Sequence, residues 1–271
     1  MNFNIEHQEH LYRGYLNTRL LWTTNSIFGL EQFPYPMDDK ALLKKRIHKK
    51  FRLGQLAEQF TFNILNQLKD CDILSKNLQV QGRENKTIGE LDALLEYSAQ
   101  QIHLEIVYKF YLHDETNDSS EIEQWIGPNR NDSLIEKLSK LKEKQLPLLY
   151  SKACISLLDQ LKIDVSNVKQ YVLFKAQLFV PYQQQVNFKL LNSNCVCGFY
   201  INTSQLNEFK ECQFYIPPKI DWLLDVNQSV NWIDITTFKI DTAFLLKNKK
   251  SPLFWLKYSD QSIQKCFLVW W

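Results

Sequence analysis

A chain of 271 residues with 45% hydrophobic content carries enough apolar material for one large domain or two modest ones. Its 32 basic and 30 acidic residues leave a formal net charge of +2, which excludes a global basic field and confines any nucleic-acid footprint to a local patch. No cationic start leads into an unbroken apolar run, and no apolar stretch reaches the roughly 18 residues of a membrane span, so neither a signal peptide nor a membrane segment is expected.

Along the chain, Leu11, Tyr15, Leu16, Leu20 and Leu21 fall near helical spacing and predict a helix over 8–26, broken by Phe33-Pro34-Tyr35-Pro36. A long helix is predicted from about 39 to 68, with Asp38 or Asp39 as its N-cap. Strands are predicted over 77–82, 88–96 and 101–111, separated by Gly82-Arg83-Glu84-Asn85 and Tyr97-Ser98-Ala99-Gln100. The polar, acidic stretch from His113 to Glu123 reads as a solvated loop. Helices are expected over 132–145 and again from Pro147 to about Leu161, followed by a buried strand at 171–180. The alternation makes an α/β chain with a hairpin inside its sheet. The implied divisions are an N-terminal helical extension over 1–40, a core over 41–180 and a C-terminal α+β extension over 181–271.

The six cysteines are scattered among apolar neighbours, as buried thiols in a reducing cytoplasm are. Cys195-Val196-Cys197 lacks a second Cys/His pair, which argues against a zinc site.

The chemistry concentrates in Gly89-Glu90-Leu91-Asp92 and in His103-Leu104-Glu105-Ile106-Val107-Tyr108-Lys109. On paired strands, Glu90 and Asp92 share a face, His103, Glu105 and Lys109 share another, and Leu104, Ile106, Tyr108 and Phe110 turn the opposite way. Acids facing one another across strands repel and need a cation, either a divalent metal beside a phosphate or Lys109 in a plain ion pair. His103 is a metal ligand or a surface hydrogen-bonding residue. Glu58 sits on the apolar stripe of the long helix, where it either faces these acids or lies at the margin in a salt bridge to Arg52 or Lys69. Gln145 either faces the cleft, touching a phosphate or base edge, or caps a helix end before Pro147. Lys44, Lys45, Arg46, Lys49, Lys50 and Arg52 put six cations in nine residues, a phosphate-tracking patch or a solvated face.

With Glu58, Ile88-Gly89-Glu90-Leu91-Asp92, His103-Leu104-Glu105 and Lys109, the chain resembles the PD-(D/E)XK nuclease superfamily over about residues 41–180. Together with Arg52-Leu53-Gly54-Gln55-Leu56-Ala57-Glu58 and Trp125-Ile126-Gly127-Pro128-Asn129, these segments look like an uncharacterised bacterial domain-of-unknown-function family placed in that clan. The resemblance implies a restriction-endonuclease-like mixed sheet flanked by helices and a Mg2+ (or Mn2+) site. Asp92 and Glu105 would be ligands with the Ile106 carbonyl, Glu58 an accessory acid, and Lys109 the group that orients water or stabilises the transition state. The implied activity is hydrolysis of phosphodiester bonds in DNA or RNA, with Lys44, Lys45, Lys49 and Gln145 at the nucleic acid. One departure stands out: the family motif places its lysine two residues after the glutamate, where this chain has Val107, and Lys109 lies roughly 7 Å further along the strand. The rival expectation is therefore a silent module that keeps the fold and binds nucleic acid or a protein partner. The aromatic end Phe267-Leu268-Val269-Trp270-Trp271 would be its interaction patch, unless it is an ordinary final strand.

Overall fold

A computed structural model describes residues 5–23, 26–34, 41–44, 46–47, 51–82, 84, 86–114, 116 and 119–271. In chain order the elements are α1 (Ile5–Asn17), α2 (Leu53–Leu65), β1 (Cys71–Gln81), β2 (Thr87–Tyr97), β3 (Gln100–His113) and β4 (Trp125–Ile126). They continue with α3 (Leu134–Lys140), α4 (Lys152–Gln160), β5 (Lys169–Pro181), β6 (Val196–Asn202), β7 (Gln213–Tyr215), α5 (Ile235–Lys247), β8 (Leu253–Lys257) and β9 (Ile263–Val269). The chain is mixed α/β, with a large mixed sheet flanked by helices. No helix among the described residues is long and apolar enough to cross a membrane.

Two compact units emerge, one from residues 20–108 and 136–175 and the other from residues 3–19, 109–135 and 176–271. In the first, β1, β2 and β3 form an antiparallel meander. Its β2–β3 hairpin closes through Ser98 and Ala99, both at positive φ (51° and 63°), the backbone of a two-residue turn that follows the sheet's twist. Ala93 and Leu95 of β2 pack with Phe62 and Leu65 of α2, whereas Leu94 packs with Leu149, Cys154 and Leu158. Neighbouring residues of a strand face opposite ways, so α2 and α4 cover opposite faces of this meander. Burial on both sides makes β3 an almost wholly buried strand rather than one with a solvated face, so its acid, Glu105, lies in the core.

In the second unit, β6 pairs in parallel with β5 and β9, and β8 pairs antiparallel with β9 and β7. Phe199, Phe209, Phe214, Phe238 and Phe254 form its core. Gly198 is required by close approach, because a Cβ there would stand 1.8 Å from the Lys265 carbonyl oxygen. The Lys265 ammonium is buried, and it donates to Gln177 Oε1 and the Trp222 carbonyl at 3.1 Å each. The aromatic end of the chain is a packed final strand: Phe267 and Leu268 are buried, and the Trp271 indole N–H donates to the Pro128 carbonyl.

Several expected boundaries move. The first helix ends at Asn17, because the Leu21 N–H is taken by the Phe174 carbonyl. The long helix shrinks to Leu53–Leu65, where Gln55 Oε1 accepts the N–H of an extended Arg52 and so closes the N-terminus. Its proposed caps, Asp38 and Asp39, and the basic residues Lys45, Lys49 and Lys50 lie outside the described residues. Lys44 and Arg46 are not helical. The acidic stretch is more than a solvated loop: Asp114 is buried against Arg130, and Glu121 accepts the N–H groups of Lys189, Leu190 and Leu191. All six cysteines are free thiols, with Cys154, Cys195 and Cys266 buried and Cys197 exposed.

Candidate functional site

A left-handed residue inside a strand builds the site. Asn77 has φ 50°, a conformation that Asn tolerates better than most, and the β1–β2 pairing skips it between Lys76↔Ala93 and Leu78↔Leu91. Its amide donates at 3.1 Å to both Glu58 Oε2 of α2 and Glu90 Oε1 of β2. Glu58 is therefore held by an amide and not by Arg52 or Lys69. On the neighbouring strand the β2–β3 ladder stops at Ala93↔Leu104, and the Asp92 side chain takes over by accepting the Ile106 N–H at 2.8 Å. Glu105 in turn lies close enough to add to the rise in the Asp92 pKa. Just upstream, Gly89 lets β2 approach Leu148, which would lie 2.5 Å from a Cβ there.

Glu105 is fully buried, and both its oxygens are used. Oε2 accepts from Gln145 Nε2 at 2.5 Å, and Oε1 meets His103 Nε2 at 3.0 Å. His103 is a buried residue, not a surface one. Gln170 Nε2 reaches both His103 Nδ1 (2.9 Å) and the Leu146 carbonyl (2.7 Å), so it is a donor to both. That puts the imidazole proton on Nε2, directed at Glu105. Burial lowers His103 to about 4, so this contact joins a neutral imidazole to the carboxyl and is not an ion pair at neutral pH. Gln145 caps nothing: it lies in a π-helical turn, Leu141–Gln145, that follows α3, and its Oε1 accepts from Lys137 Nζ at 2.8 Å.

Glu58, Asp92 and Glu105 all titrate near 7. In each case burial is the largest cause and a neighbouring carboxylate adds to it, while Lys137 pulls all three back down. Three acids from three elements thus share one poorly compensated negative centre, and its half-buried cation comes from α3. Lys109 engages elsewhere, with its ammonium on Asp132 Oδ2 at 2.5 Å. Oxygen donors lacking a full counter-charge suit a hard divalent ion chemically. Among the described residues, however, no three His, Cys, Asp or Glu side chains already converge as a metal cage. Ile106 enters the site through its N–H.

The acids also set a stability profile. A carboxyl whose folded pKa is raised to about 7 keeps its proton on folding between its unfolded value, about 4, and 7. The native state then binds more protons than the unfolded one, so stability is greatest below pH 4 on this account and falls as pH rises to 7. With EDTA present, the melting temperature is expected to drop by several degrees between pH 5 and 8, and Asp92→Asn is expected to flatten that slope. A wild-type profile with no slope across this range would contradict the shared negative centre.

The structure places Glu58, Asp92, Glu105 and Gln145 in one cluster and adds to it Asn77, Gln170 and Lys137, to which the sequence drew no attention. Asn inside an otherwise strand-like run was the available signal for the first, because Asn is depleted in strands. Lys137 is one of four lysines over residues 137–144, and only the π-helical turn reveals its partner.

No curated protein and no solved structure matches this chain. The sequence profile described as "Domain of unknown function (DUF1853)" matches residues 30–262, and the chain belongs to that family.

Proposed function

We propose that the site is the centre of a Mg2+- or Mn2+-dependent phosphodiesterase acting on DNA or RNA, of the PD-(D/E)XK kind. The observation that carries this reading is the meeting of Glu58, Asp92 and Glu105 around one lysine, Lys137. Asp92 and Glu105 would hold the ion, with the Ile106 carbonyl as a further donor and Glu58 as an accessory acid. Once bound, the ion supplies an acidified water and neutralises charge on the scissile phosphate. The chain's own residues do the rest. His103 and Gln145 fix the two oxygens of Glu105, Gln170 fixes the imidazole, and Asn77 fixes Glu58. Lys137 presents positive charge to the pentavalent phosphate, the role that the displaced Lys109 leaves open.

A second reading, a silent module binding nucleic acid or a protein partner, is favoured by one observation: both oxygens of Glu105 are already occupied by protein donors. The two readings separate on labelled single-stranded DNA, duplex DNA and RNA incubated with Mn2+. Fragmentation suppressed by EDTA supports the enzyme. Intact substrates of all three kinds, with a folded protein, support the module.

A further inference from the structure

A cavity of about 450 Å3 opens on α2 away from the carboxylates. Phe51 forms an apolar wall over the buried Phe62, Lys44, Arg46 and Lys76 bring three cations, and no acid among the described residues lines it. Lys76 lies 4.7 Å from the centre of the Phe62 ring. The Asn63 amide joins the wall to α2 by accepting the Lys44 N–H and donating to the Leu42 carbonyl. Among the described residues Lys44 and Arg46 form no salt bridge, and both are exposed, so their charge is available to a ligand. The volume suits a small molecule and not a buried water.

We propose that this cavity seats one nucleotide of a single-stranded nucleic acid, its base against Phe51 and its phosphate on Lys44, Arg46 and Lys76. A phenyl wall offers stacking to any base, and cations without acids select an anion, the pairing by which single strands are held without sequence readout. A duplex keeps its bases stacked inside and presents none to such a wall. Gln59 and Lys76 line the cavity, and their sequence neighbours Glu58 and Asn77 belong to the carboxylate centre. As the substrate subsite of that centre the cavity rests on the phosphodiesterase reading; as a nucleotide site it stands alone.

Calorimetry with adenosine monophosphate and with inorganic phosphate, both in EDTA, tests it. The nucleotide is expected to bind wild type and Asp92→Asn equally and more tightly than phosphate. Lys44→Ala/Arg46→Ala is expected to abolish binding, and Phe51→Ala to weaken the nucleotide roughly tenfold while leaving phosphate unchanged. Equal affinity for nucleotide and phosphate would overturn the base-stacking assignment. Absence of binding by either, in a protein that cleaves with Mn2+, would overturn the cavity and leave the phosphodiesterase. Nucleotide binding by a protein that cleaves nothing would keep the cavity and remove the phosphodiesterase.

Discussion

Asp92→Asn and Glu105→Gln are each expected to reduce Mn2+-dependent cleavage at least 10³-fold, the scale of losing a group that acts in the transition state. The amides are the informative replacements. Alanine at 92 would strip the Ile106 N–H of its acceptor at a half-buried position, a cost of about 1–3 kcal/mol that would mix stability with chemistry. Asparagine keeps an oxygen for that N–H and removes only charge. Because burial raises both pKa values, with Glu105 adding to the rise at Asp92 and Glu58 to the rise at Glu105, losing one charge leaves the centre with less uncompensated negative charge. The amide variants are therefore expected to melt at or above the wild-type temperature near pH 8 in EDTA. Inactivity together with lost cooperative melting would make these acids structural.

Lys137→Met is expected to lower kcat about 10²-fold with little change in KM, because its charge is needed where negative charge develops. Arginine should restore part of the rate, since it keeps both the charge and a donor for Gln145. Lys109→Met supplies the contrast. Its ammonium is committed to Asp132, so the account predicts a loss of less than about fivefold, the cost of disturbing a half-exposed ion pair. A large loss for Lys109 and none for Lys137 would return the cationic role to the strand.

The acids were legible in the sequence because strand alternation and helix periodicity are local rules: alternation set Asp92 and Glu105 on the polar faces of their strands, and Glu58 broke helix periodicity by placing charge on an apolar stripe. Chain order gave the α/β class and the three-strand meander for the same reason. What escaped was whatever depends on a departure from regularity. The left-handed Asn77, the Asp92 side chain standing in for a ladder bond and the π-helical turn at Leu141–Gln145 have no periodic signature, yet they orient Glu58, Glu105 and Lys137. The long helix was overextended because Lys44 and its neighbours have good helix propensity, which the Asn63 contacts with the Lys44 N–H and the Leu42 carbonyl override. The double burial of β3 was equally hidden, since its polar residues, His103 and Glu105, satisfy each other out of water.

Calorimetric titration of Mn2+ into wild type and into the Asp92→Asn/Glu105→Gln double variant tests the central claim without any assumption about substrate. The account predicts saturable binding near pH 8 to the wild type, lost in the folded double variant. Indistinguishable titrations of the two folded proteins would contradict a metal centre at these carboxylates.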